Sequence, residues 1–260
     1  MSAHLKLLSL EGKRALVTGA GTGLGLQMAL GLAEAGADLV VCGRRQQPLD
    51  DCAEQARTFG IQANVITADV TAEADVKRLQ ADAGQIDILL NNAGGGANQP
   101  WLDVPLEEWR QVIALNLDAP FRLCQAFAPG MIERRWGRII NVSSIYGSVG
   151  GDESRYPGLN WDIASYFASK HGLNGVTHYL APRLAPFGVC INSLSPGMFP
   201  SEQNMDKLTP GVISRLIDGT PMKRLGETDD LKAAVVFLAS PGSKFVTGQI
   251  LTVDGGWTVW

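Results

Sequence analysis

The chain has 260 residues, 45% hydrophobic and 18% charged, enough apolar material for a buried core and unlike the composition of a disordered chain. A formal net charge of −4 argues against a nucleic-acid partner, which calls for a surplus of Lys and Arg on one face. No apolar run approaches the ~20 residues needed to cross a bilayer, and the stretch from Met1 to Leu8 is too short and interrupted for a secretory signal, so an intracellular, cytoplasmic protein with no membrane partner is expected.

Short apolar runs alternate with longer helical patterns from one end to the other. The predicted strands are Arg14–Thr18, Asp38–Cys42, Ala63–Thr67, Ile86–Leu90, Gly137–Val142, Val189–Leu194 and Gln249–Val253. Each is rich in Val, Ile or Leu, as strands covered on both faces of a parallel sheet are. Between them the periodicity predicts helices over Leu24–Ala35, Pro48–Phe59, Ala72–Ala83, Pro105–Ile132, Ala164–Leu184 and Asp229–Ala239. This rhythm implies the α/β class, a Rossmann-type doubly wound parallel sheet of about seven strands flanked by helices. No linker or repeat divides the chain, so residues 1–260 read as one domain. Two polar excursions, near 145–163 and 198–221, read as substrate loops at the carboxyl edge, where open sheets of this kind bind ligands.

Cys42, Cys52, Cys124 and Cys190 lie far apart with no C-x-x-C pair, and His4, His171 and His178 have no ligand spacing, so no metal site and no disulfide framework is expected.

Directly after the first strand, Thr18-Gly19-Ala20-Gly21-Thr22-Gly23-Leu24-Gly25 opens a helix. Glycines there let the backbone approach a pyrophosphate, whose charge faces free N–H groups at the helix start. The second strand ends at Gly43-Arg44-Arg45, where an acidic residue would bind a ribose 2′-hydroxyl. A guanidinium suits a 2′-phosphate instead, which favours NADP over NAD, unless both arginines are simply solvated loop charges.

Tyr166 and Lys170 are four residues apart at the start of a helical pattern and so share a face. A nearby ammonium, together with an oxidised nicotinamide, is expected to lower the phenol from its usual ~10 and let it exchange a proton with a carbonyl oxygen. Ser143 and Ser144 end the fifth strand, where a hydroxyl is able to hold a substrate oxygen. Asn91-Asn92-Ala93-Gly94 ends the fourth, and Asn116 lies mid-helix, where it either caps or kinks the helix or relays protons through water to Lys170.

With these residues in view, the chain from about residue 11 onward resembles the short-chain dehydrogenase/reductase family, in particular its sugar, polyol and gluconate dehydrogenases. The resemblance implies a catalytic tetrad of Asn116, Ser144, Tyr166 and Lys170. It implies cofactor contacts at Gly19, Thr22, Gly23, Leu24, Arg44, Asp69, Val70, Asn92, Ala93, Gly94, Tyr166, Lys170, Pro196, Gly197, Phe199 and Ser201, the last standing where the family usually has Thr. Lys170 would also hold the nicotinamide ribose. A homotetramer is implied, with the apolar Trp257, Val259 and Trp260 suited to an interface. Between Ser144 and Tyr166 the chain is longer than the family's usual spacing, and the excess falls in the polar segment 147–162. There Arg155 is able to grip a carboxylate and Trp161 to contact a sugar ring or acid, which favours a sugar, polyol or aldonate substrate unless these side chains only solvate a loop. Two rival readings are a 3-oxoacyl-thioester reductase, with Arg134, Arg135 and Arg138 as a patch for an acyl carrier protein, and a non-catalytic nucleotide-binding scaffold.

Overall fold

A computed structural model describes residues 6–96, 98–151, 162–200 and 209–260. Seven strands form one parallel sheet: β1 (Arg14–Thr18), β2 (Asp38–Gly43), β3 (Ala63–Thr67), β4 (Ile88–Asn91), β5 (Gly137–Val142), β6 (Val189–Pro196) and β7 (Ile250–Val253). Their order is β3-β2-β1-β4-β5-β6-β7. The winding reverses between β1 and β4, which opens a crevice at their carboxyl ends.

Because side chains alternate along a strand, each strand feeds two cores. Ala15, Val17, Leu39, Val41, Ile88, Leu90 and Ile140 pack on one face against α1 (Gly23–Glu34), α2 (Gln46–Arg57) and, farther along the chain, α8 (Lys232–Ala239). Leu16, Val40, Leu89, Ile139 and Ile191 pack on the other, against α3 (Glu73–Ala83), α5 (Ala119–Glu133) and α6 (Ala164–Leu184). A strand buried on both sides has no polar face to alternate with, which explains the continuous apolar runs. A third, smaller cluster lies beyond the sheet's carboxyl edge, where Ile145, Tyr146 and Trp257 meet Val212 and Leu216 of α7 (Pro210–Gly219).

The strands at β1, β3 and β5 have the predicted limits. The predicted helix over Pro105–Ile132 is instead two, α4 (Leu106–Ile113) and α5, joined by a π turn over Ala114–Asp118. Hydrophobic periodicity is blind to one extra residue in a turn; the cause lies in Asn116, whose buried side chain bonds to a loop outside the helix. Near the C-terminus, the interface role expected of Trp257 is corrected. It is buried within its own chain, where its ring lies 2.7 Å from where a Cβ on Gly219 would stand. Val259 and Trp260 are exposed. Among the described residues no helix is long and apolar enough to cross a membrane.

Candidate active site

The strand ends bring the sequence motifs together. Gly19 follows β1, Asn91 to Gly94 close β4, Ser143 and Ser144 follow β5, and Pro196 ends β6, all on the carboxyl edge. Gly19 sits at φ +66°, and a Cβ there would stand 2.9 Å from Asn92 Nδ2 and 3.0 Å from Ala93 Cα, so only glycine allows the first and fourth loops to touch. Asn92 closes that contact, its Nδ2 donating to Thr18 O at 2.9 Å and Gly19 O at 3.1 Å. Thr18 Oγ1 in turn accepts from Asn92 N and Ala93 N, both at 3.0 Å.

The crevice fits a dinucleotide. Helix α1 opens at Thr22 with no side-chain cap and no acidic residue in its first turn, so its N–H groups and positive end are uncompensated. A Cβ on Gly23 would meet nothing within 4 Å, which places open space before that helix end. Leu24 follows in the same turn. Arg44 and Arg45 are exposed at the end of β2, and no ion pair engages either among the described residues. Asp69 and Val70 follow β3; the Asp69 carboxylate accepts from Thr71 N at 2.9 Å and Thr71 Oγ1 at 2.7 Å, fixing the turn that buries Val70. Gly197 packs on Asp254, whose Cα lies 2.6 Å from where a Cβ on Gly197 would stand, and Phe199 packs on Gly226. Ser201, Arg155 and Trp161 lie outside the described residues.

At the reacting end, Tyr166 and Lys170 lie one turn apart on α6, with Lys170 Nζ 5.4 Å from the phenol ring centroid. Both side chains reach the same loop after β4. A Cβ on Gly94 would stand 3.5 Å from Lys170 Nζ, and one on Gly96 would stand 3.4 Å from Tyr166 Cδ2. Lys170 is buried with its ammonium donating to Val142 O at 2.7 Å, and burial pushes its pKa down to about 8. The expected lowering of the phenol involves an oxidised nicotinamide as well as Lys170, and in the protein by itself another influence leads. Burial, which penalises the phenolate, pushes Tyr166 up, and a hydrogen bond with the Ser144 hydroxyl works against that rise.

Asn116, buried in the π turn, holds the loop against α6. Its Oδ1 accepts from Gly95 N at 3.0 Å, and its Nδ2 donates to Gly95 O at 2.8 Å and Ser169 Oγ at 3.0 Å. Both amide hydrogens are therefore committed to protein groups.

The sequence motifs gave no partners for several buried polar residues at the site, and Thr177, Asn98 and Asn174 belonged to none of them. Asn91 Nδ2 donates to Asn141 Oδ1 at 2.9 Å, and Asn141 Nδ2 to Thr177 Oγ1 at 2.9 Å, a buried chain tying β4, β5 and α6. Asn98 carries a buried amide oxygen with no hydrogen-bond partner, just beyond the Gly96 contact with Tyr166. Asn174 had a signal, since it follows Lys170 by the same four residues that separate Lys170 from Tyr166.

The arginines proposed as a carrier-protein patch lie at the opposite, amino-terminal end of β5. Arg138 is 2% exposed, with Nη1 donating to Gly137 O at 2.8 Å, and Arg134 Nη2 donates to Ile86 O at 2.7 Å. They form no open basic patch beside the crevice.

Residues 19–258 match the family described as enoyl-(acyl carrier protein) reductase. The chain is 37% identical to gluconate 5-dehydrogenase of Gluconobacter oxydans, across 99% of each protein. It is 36% identical to the L-tagatose-forming galactitol 2-dehydrogenase of Cereibacter sphaeroides, across 96% of this chain and 97% of that one. Among solved structures, it is similar to a gluconate 5-dehydrogenase from Burkholderia cenocepacia in complex with NADP and tartrate, with a TM-score of 0.90 and 36% identity across 99% of each chain.

Proposed function

The chain belongs to the short-chain dehydrogenase/reductase family, and on that premise we propose that it interconverts an alcohol and a carbonyl on a sugar, polyol or aldonate, with NADP as hydride carrier and Tyr166 as acid and base. The observation that carries the chemistry is the meeting of Tyr166 and Lys170 beneath one loop at the switch point of the sheet, with the Ser144 hydroxyl beside the phenol.

In the proposed reaction Ser144 holds the substrate oxygen by hydrogen bonding. Tyr166 donates its proton to that oxygen as an alcohol forms, and accepts it back when an alcohol is oxidised. Lys170 holds the ribose next to the nicotinamide with its ammonium. Asn116 keeps the Gly94–Gly96 loop at the distance that admits substrate and serves as a relay point for water toward Lys170. The nicotinamide supplies or accepts the hydride. Gly19, Thr22, Gly23 and Leu24 take the pyrophosphate; Asp69 and Val70 flank the adenine; Asn92, Ala93, Gly94, Pro196, Gly197, Phe199 and Ser201 line the nicotinamide half. Arg44 takes the 2′-phosphate, and NAD serves less well.

The substrate class rests on the relatives, which are named for gluconate and galactitol, and on tartrate, a hydroxy acid, in the Burkholderia enzyme. The unpartnered Asn98 oxygen is a further acceptor suited to a substrate hydroxyl. In this proposal the substrate roles of Arg155 and Trp161 stay as the sequence suggests them, a carboxylate grip from the one and a substrate contact from the other. The protein works as a cytoplasmic homotetramer in the same reading. Following nicotinamide absorbance across a panel of sugar acids, polyols, simple ketones and an acetoacetyl thioester, with NADP and NAD, tests it. Turnover of the thioester alone would overturn the substrate class.

A further inference from the structure

We propose that Asn174 is a positioning residue for Ser144, fastening the turn that begins at Ser144 to the same helix face that carries Tyr166 and Lys170; the inference rests on the proton-transfer role proposed for Tyr166. Residues 166, 170 and 174 succeed one another at the spacing that stacks side chains along one face of a helix. Asn174 is buried, and its Nδ2 donates to Gly147 O at 2.9 Å and, more weakly, to Ser148 Oγ at 3.4 Å. Gly147 ends a short 3₁₀ turn, Ile145–Gly147, of which Ser144 is the first cap: Ser144 Oγ accepts from Tyr146 N at 3.2 Å. Asn174 therefore grips one end of a three-residue turn whose other end is Ser144. Ser143 Oγ adds a second tie, donating to Lys170 O at 3.4 Å.

The fit leaves no slack. A Cβ on Gly147 would stand 2.6 Å from Ser143 Oγ, 2.8 Å from Asn174 Nδ2 and 2.9 Å from Lys170 O, so the turn reaches the helix only because that residue is glycine. The other half of the Asn174 amide has no such reward. Its Oδ1 is buried with no hydrogen-bond partner among the described residues. The one satisfied end is spent on the turn that sets Ser144.

Placement of Ser144 matters because its hydroxyl opposes the effect of burial on the Tyr166 phenol. Among the described residues, the titratable groups near that phenol are Lys170 from the next turn of the same helix and the Tyr146 phenol of the Ser144 turn, which shares its apolar cluster; the Gly94–Gly96 loop presents uncharged groups.

The test is the pH profile of kcat/KM for alcohol oxidation in wild type, Asn174→Leu and Gly147→Ala, each also in a Ser144→Ala background. Asn174→Leu keeps the branched shape and heavy-atom count of the side chain while removing its donor, and Gly147→Ala perturbs the same turn from its other side should the first variant fail to fold. With Ser144 present, each substitution should move the rise of activity to higher pH by about half a unit or more and lower kcat about tenfold, leaving NADP affinity within about twofold. With Ser144 replaced by Ala, the shift should vanish. An unmoved rise, or an equal shift in both backgrounds, overturns the inference. Phenolate absorbance of each variant, taken against its Tyr166→Phe counterpart, reads the same displacement with no substrate present. If wild type turns over nothing on the panel, the proposed function fails while this titration still decides the role of Asn174.

Discussion

The buried ammonium at the site gives a stability test that needs neither substrate nor cofactor. Lys170 is 4% exposed and titrates at about 8 in the fold, against ~10.4 in an unfolded chain. Below pH 8 both folded and unfolded chains carry the proton, and the fold bears the whole cost of the buried charge, roughly 3 kcal/mol. From pH 8 to about 10.4 the folded chain has released the proton while the unfolded chain still binds it. Stability therefore rises with pH across that window. Replacing Lys170 by Met removes the titrating group, so the difference in unfolding free energy between wild type and Lys170→Met should move in favour of wild type by about 1 kcal/mol between pH 7 and pH 9, or about 2–4 °C in relative Tm. Urea unfolding of both proteins at pH 7, 8 and 9 measures it, and titrations elsewhere in the molecule cancel in the difference. The absolute offset between the two proteins also contains the lost bond to Val142 O and is not diagnostic. A difference that stays flat, or that moves against wild type as pH rises, would refute the buried-charge argument.

Tyr166→Phe removes the proton donor while keeping the ring, so turnover should fall by roughly 10²–10⁴-fold with NADP affinity unchanged by calorimetry; near-normal turnover rejects the phenol as acid and base. In Arg44→Asp the preference for NADP over NAD, read as the ratio of kcat/KM values, should collapse or invert by about tenfold or more. An unchanged ratio would return Arg44 to the status of a solvated loop charge. Gly25→Ala would press a Cβ onto the Gly19 carbonyl and the Asn92 amide. It should cost about 2 kcal/mol or more in stability and weaken NADP binding, and a variant with wild-type Tm and affinity would show that the two loops are not locked there.

The positions of the strands, though not the limits of β2, β4, β6 and β7, were legible because a doubly covered parallel strand writes itself as an unbroken apolar run, as at Leu16–Val17 or Ile139–Ile140. The site was legible where chemistry requires a residue type at a fixed spacing, as with Tyr166 and Lys170. Side chains whose value lies in what they reach across the fold were not. Thr18 looks like the end of a strand, yet its hydroxyl receives two backbone N–H groups from a loop more than seventy residues away. The π turn at Asn116 follows from a bond to Gly95, which no local pattern encodes. Trp257 looked like interface material because it stands beside Val259 and Trp260; the cavity that takes it is built by Gly219, which has no side chain to advertise it. The burial of Tyr166 was illegible for a related reason, since desolvation depends on everything packed around the phenol and spacing reports only the nearest charge.

Proton transfer and substrate choice make opposite demands on the scaffold, and the third apolar cluster is where they meet. Transfer requires Ser144, Tyr166 and Lys170 held to a fraction of an ångström, and they stand just past β5, which is buried throughout, and on the inner face of α6. Choice of substrate requires surface that changes without disturbing that geometry, which is why loops at the carboxyl edge carry it. Ile145 and Tyr146, next to Ser144, pack with Val212 and Leu216 of α7 and with Trp257. The apolar face of α7 is thus continuous with the turn that holds Ser144, while its outer face is not. Substitutions at Val212 or Leu216 should reach kcat through that turn, whereas exposed positions of the same helix have no packed path to Ser144 and are free to vary.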